Sequence, residues 1–119
     1  MSKKINKIEK AILMEVARFN IKEYPCIEEH INYLTIKNRE RTGVGQYIYF
    51  SYLESDLEIQ NCMSKDTTLS ADRSLEIDTL EFGLNYELNI TKGRLDFLEL
   101  VTNGEDWNGD VGKFEFVQY

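Results

Sequence analysis

Histidine and proline occur once each in this chain, at His30 and Pro25, and cysteine only twice, at Cys26 and Cys62. A side-chain nucleophile needs a base and a third group to orient that base. With one histidine, and no Gly-x-Ser-x-Gly or cysteine-protease signature around either cysteine, no such set is legible. Two cysteines 36 positions apart plus one histidine also lack the spacing of a zinc site. Two cysteines are too few for a disulfide scaffold, so both are expected to be reduced thiols packed as small hydrophobes. No apolar run approaches the ~18 residues of a membrane span. The basic start, Ser2-Lys3-Lys4, runs into a charged periodic segment rather than a signal-peptide stretch. The expectation is a soluble, cytoplasmic protein with no membrane partner and no cofactor.

Net positive charge is missing as well. Against 14 Lys and Arg stand 21 Asp and Glu, a formal charge of -7. A surface of this sign repels phosphate, which disfavours nucleic-acid binding by backbone neutralisation, and it attracts cationic partners. The acids are unevenly placed: residues 1–50 carry a balance of +3, and residues 51–119 one of -10.

What is present fits one globular domain, 1–119, since 42% of its 119 residues are hydrophobic, enough for a single core. Ser2 can cap a first helix, and Ile5, Ile8, Ile12, Val16 and Phe19 then recur at helical spacing over about residues 4–19. Pro25, Glu28 and Glu29 suit the start of a second, shorter helix. The helical part spans about 4–32, and the sheet part about 33–119. Residues 33–40 lean to strand, and Arg39 to Gly45 reads as a turn. Gln46–Leu53 reads as a strand with Ile48, Phe50 and Tyr52 on one face and Tyr47, Tyr49 and Ser51 on the other. The polar stretch within 54–79 reads as an irregular excursion. From Leu80 to Ile90 every second residue is apolar, a half-buried strand; Thr91–Arg94 turns it into Leu95–Val101, and Phe114–Tyr119 closes the chain as a last strand. The fold class expected is α+β: N-terminal helices packed on one face of an antiparallel sheet built from hairpins.

Candidate chemistry is thin. Thr42-Gly-Val-Gly45 lacks the Lys-Ser/Thr ending of a phosphate loop and reads as a hairpin turn. Glu105, Asp106 and Asp110 lie in the loop after the strand that ends near Val101, without the alternating ligands and closing Glu of a calcium loop. Neither a metal site nor a catalytic residue is expected there. Trp107 in that loop either closes the core or anchors a partner. Tyr47 and Tyr49 either pack the sheet or offer contact area with a polar tip.

Arg39-Glu-Arg-Thr-Gly-Val-Gly-Gln-Tyr-Ile-Tyr-Phe50 resembles the "R-E-x-T-G-x-G-aromatic" stretch of small bacterial proteins similar to the immunity proteins of polymorphic-toxin and contact-dependent growth-inhibition systems. Gly83–Glu99, the Gly104-Glu-Asp-Trp107 loop and Phe114-Glu-Phe116 are similar to their ending, although Phe97-Leu98-Glu99-Leu100-Val101 lacks the usual glycine. The resemblance implies no catalysis. It implies a cytoplasmic protein that binds and neutralises a cognate basic toxin, for example a nuclease, by steric and electrostatic occlusion. Tyr47, Tyr49, Glu105, Asp106, Trp107 and Asp110 are the expected partner-binding residues. The alternative is a non-catalytic adaptor or a homo-oligomeric structural protein joined through an open sheet edge.

Overall fold

The computed structural model describes residues 4–53 and 61–119. Two helices, α1 (Lys7–Phe19) and α2 (Ile27–Ile31), precede seven strands: β1 (Leu34–Arg41), β2 (Gly45–Tyr52), β3 (Thr67–Leu69), β4 (Ser74–Ile77), β5 (Leu84–Thr91), β6 (Arg94–Thr102) and β7 (Phe114–Val117). All pairings are antiparallel, in the order β1-β2-β6-β5-β4-β7, with β3 also on β5. The fold is α+β, with the helices N-terminal to the sheet, as expected.

The first helix starts later than a Ser2 cap implies, and Ser2 itself lies outside the described residues. Asn6 is the N-cap: its side chain accepts from the Glu9 amide while Glu9 accepts from the Asn6 amide, a reciprocal capping box. The apolar stripe of α1, Ile8, Ile12, Leu13 and Val16, is buried with the inward residues of the sheet, among them Ile36, Ile48, Leu88, Ile90, Leu98 and Leu100, in one core.

Two carboxylates go into the protein interior with this helix. Glu9 is 1% exposed and receives Nε and Nη2 of Arg39 on β1, at 2.8 and 2.9 Å. Glu15 is 4% exposed and lies between two guanidinium groups, Arg18 one turn on and Arg73 just before β4. Their hydrogen bonds, Arg73 first, hold the Glu15 carboxyl down from 4.5 to about 2. Both buried acids are therefore paired with guanidinium groups, as burial requires.

Two expectations about the middle of the chain fail. The polar excursion, Ser64 to Ser74, contains strand β3 and ends where β4 begins: β3 has three residues and β4 four, each too short to show a period. The stretch 54–60 lies outside the described residues. The alternating run from Leu80 enters the sheet only at Leu84. Gly83 takes φ +75°, and the Glu105 carboxylate accepts from the amides of Glu81 and Phe82, which bends residues 81–83 out of line. The β5–β6 hairpin turns at Lys92-Gly93, both at positive φ, the twist that a two-residue turn needs.

The cysteines are not free thiols. Cys26 and Cys62 form a disulfide, joining the N-cap of α2 to the segment before β3. Spacing in the sequence could not show it, because only the fold brings the two positions together.

Candidate partner-binding face

The helices cover one face of the sheet. On the other, the strand registers line up two rows of outward side chains. Glu40 is opposite Tyr47, Tyr47 opposite Glu99, and Glu99 opposite Glu87, a row crossing β1, β2, β6 and β5. The next row runs Asn38, Tyr49, Phe97, Asn89 and Thr68. The buried residues between them, Ile48, Leu98 and Leu88, form the matching inward row. Alternation of successive side chains enforces this division.

The aromatic residues of the two rows pack together. Tyr47 and Tyr49 are stacked with centroids 6.1 Å apart, and Phe97 meets Tyr47 edge-on at 5.8 Å and Tyr49 at 5.5 Å. All three are half-buried, so their outer surfaces meet solvent. The Tyr47 hydroxyl donates to Glu99 Oε2 at 3.1 Å, and this bond, with the nearby negative charge, holds the phenol above its usual range. A shallow dent of about 50 Å³ between Thr68, Glu87, Asn89, Phe97 and Glu99 lies beside the cluster.

The electrostatics of the first row are unfavourable by design of its register. Glu99 and Glu87 are direct cross-strand neighbours, and like charges so placed repel. Glu40 adds a third carboxylate, and neither row contains Lys or Arg. On the helix side three arginines are paired internally: Arg39 with Glu9, Arg73 with Glu15, and Arg18 with Glu15 and Asp72. The open-face rows thus carry three carboxylates and no cation of their own.

Of the residues singled out from the sequence, Tyr47 and Tyr49 meet on this face. The other four stand apart, in the loop after β6. Trp107 is 6% exposed; its amide donates to Gly43 O, its Nε1 donates to Asp110 O, and it borders Ile8, Gln46 and Leu100 on the helix side. It closes the core and does not project as an anchor. Glu105 is committed to the amides of residues 81 and 82, and Asp110 serves through its backbone oxygen, which accepts from Trp107 and Thr79. Asp106 is exposed. Glu40, Glu87, Glu99 and Phe97 were not singled out from the sequence, because their alignment depends on strand order.

His30 is fully buried, with Nδ1 2.8 Å from the Tyr52 hydroxyl, which also accepts the Leu95 amide at 2.9 Å. It ties α2 to the end of β2 and the start of β6. Among the described residues no group of three or more His, Cys, Asp or Glu is arranged to hold a metal, and no helix is long and apolar enough to cross a membrane. Comparison with protein-family models, with curated proteins and with solved structures finds no match to this chain.

Proposed function

We propose that this chain is an immunity-type protein that binds a cognate basic toxin, for example a nuclease, in the cytoplasm and neutralises it by occlusion, with no chemistry of its own. The observation that carries this proposal is the row Glu40–Tyr47–Glu99–Glu87, in which Glu99 and Glu87 face one another across strands beside a half-buried aromatic cluster. The Glu99–Glu87 pairing costs the free protein stability. A cationic partner relieves the repulsion when it docks, while Tyr47, Tyr49 and Phe97 supply rigid contact area. Charge of this sign also steers a basic partner toward the face and speeds encounter.

The test is co-purification with the product of the adjacent upstream gene, followed by binding kinetics. A one-to-one complex and growth rescue on co-expression are expected. Glu87→Lys with Glu99→Lys should slow association by about tenfold or more and flatten its salt dependence. The occlusion proposal is refuted if no neighbouring toxin binds. The placement of the interface is refuted if the charge-reversed variant associates at the original rate. Self-association through the sheet edge, without a toxin, would favour an adaptor or structural role.

A further inference from the structure

Apart from the docking face, the molecule carries a covalent tie that neither the fold class nor the proposed function uses. The Cys26–Cys62 disulfide spans 36 positions, with the Cys26 amide 3.2 Å from Cys62 Sγ and the Cys62 amide 3.1 Å from Cys26 Sγ. The two segments thus hold one another through the bond and its own amides. Cys26 is 1% exposed and Cys62 half-buried, so Cys62 is the more accessible residue of the pair. The helix on the Cys26 side has five residues and no side-chain cap, too short to persist without tertiary support. The long ladders β1–β2, β2–β6 and β5–β6 pair independently of the bond.

We propose that Cys26–Cys62 is a thiol–disulfide exchange site, which fixes α2 and the segment entering β3 when oxidised and releases both when a dithiol reductant opens it. A thiolate of the reductant attacks Cys62 Sγ, the sulfur–sulfur bond breaks, and Cys26 departs as thiolate. The reductant's second thiolate then resolves the mixed disulfide and frees Cys62. The chain gains two electrons and two protons, and the dithiol becomes a disulfide. In a compartment rich in dithiol reductants such a bond is transient, and it persists where they are scarce. The inference is independent of any docking partner.

Hydrogen–deuterium exchange on the full chain, oxidised and after dithiothreitol, tests it, with thiols counted by alkylation and mass. Two alkylations per chain are expected, with exchange in residues 26–32 and 61–66 accelerated at least about tenfold more than in β5 and β6. The Cys26→Ser/Cys62→Ser double variant should show the fast pattern without reductant and no response to it. A bond that dithiothreitol fails to open in the native protein overturns the exchange site. Unchanged exchange after full alkylation, or faster exchange spread evenly over every strand, overturns the local release.

Discussion

Replacing Glu15 by Gln removes a charge that two arginines, one on α1 and one 58 positions along the chain, close upon. The carboxyl titrates at about 2 in the fold against an ordinary 4.5. That difference is equivalent to about 3 kcal/mol of preferential binding of the ionised form. Arg18 and Arg73 each keep a substantial share of their side chains in water, which screens the interaction and lowers the expected contribution to about 2 kcal/mol. The sign follows from a depressed acid: the stabilisation is complete above pH 4.5 and is lost as the pH falls toward 2. Urea unfolding of wild type and Glu15→Gln at about pH 6 should therefore differ by about 2 kcal/mol. The difference should shrink progressively between about pH 4.5 and pH 2, because the wild-type carboxyl is then neutralised as well. A gap of the same size at both ends of that range, or no gap at neutral pH, would refute the assignment of Glu15 as an ionised bridge.

Loss of the disulfide in the Cys26→Ser/Cys62→Ser variant should cost about 3 kcal/mol, seen as a fall of roughly 10–15 °C in the midpoint of a thermal scan. Trp107→Phe keeps most of the packing but removes the Nε1 donor to Asp110 O, so a loss of about 1 kcal/mol is expected in urea unfolding. The wild-type tryptophan, being buried, should emit at short wavelength until the protein unfolds. Glu87→Gln should raise the unfolding free energy of the free protein by about 0.5 kcal/mol, seen as a higher urea midpoint, because it relieves the repulsion from Glu99; the same change should weaken binding of a basic partner. Gly83→Ala should destabilise by about 1–2 kcal/mol, since φ is +75° there and a Cβ would come within 2.9 Å of Leu75 O.

The elements with a clear local period were legible in the sequence. The stripe from Ile8 to Val16 gives α1, and the alternation from Leu84 to Ile90, ending in Lys92-Gly93, gives the β5–β6 hairpin. The faces of β2 were readable for the same reason, so Tyr47 and Tyr49 were placed on one face and Ile48 and Phe50 on the other. What escaped depends on contacts between distant positions. Glu105 reaching back to residues 81 and 82 delays the start of β5, and nothing in the alternation from Leu80 signals it. Cys26 and Cys62 meet through the packing of α2 against the segment before β3. The acidic loop looked like the partner site because its acids lie within six residues of sequence, Glu105 to Asp110, whereas Glu40, Glu99 and Glu87 come from three separate strands. Their row exists only once β1, β2, β6 and β5 have been set side by side.

The strand order has a mechanical consequence. β4 and β7 hold each other through four registered pairs, but β4 meets β5 through one, Leu75 with Leu84. A cleft of about 520 Å³ opens beside this contact, between residues 70–76 and 81–87. The sheet therefore has a seam, and β4 with β7 can part from the rest as a two-stranded flap before the central hairpins give way. What restrains the flap lies at its hinge: Arg73, whose guanidinium is held by Glu15 and packs 5.5 Å from the Phe116 ring centre, and whose carbonyl accepts the Tyr86 hydroxyl. Acidification that neutralises Glu15 would loosen that latch, so the C-terminal strand is where a protease should first gain entry at low pH.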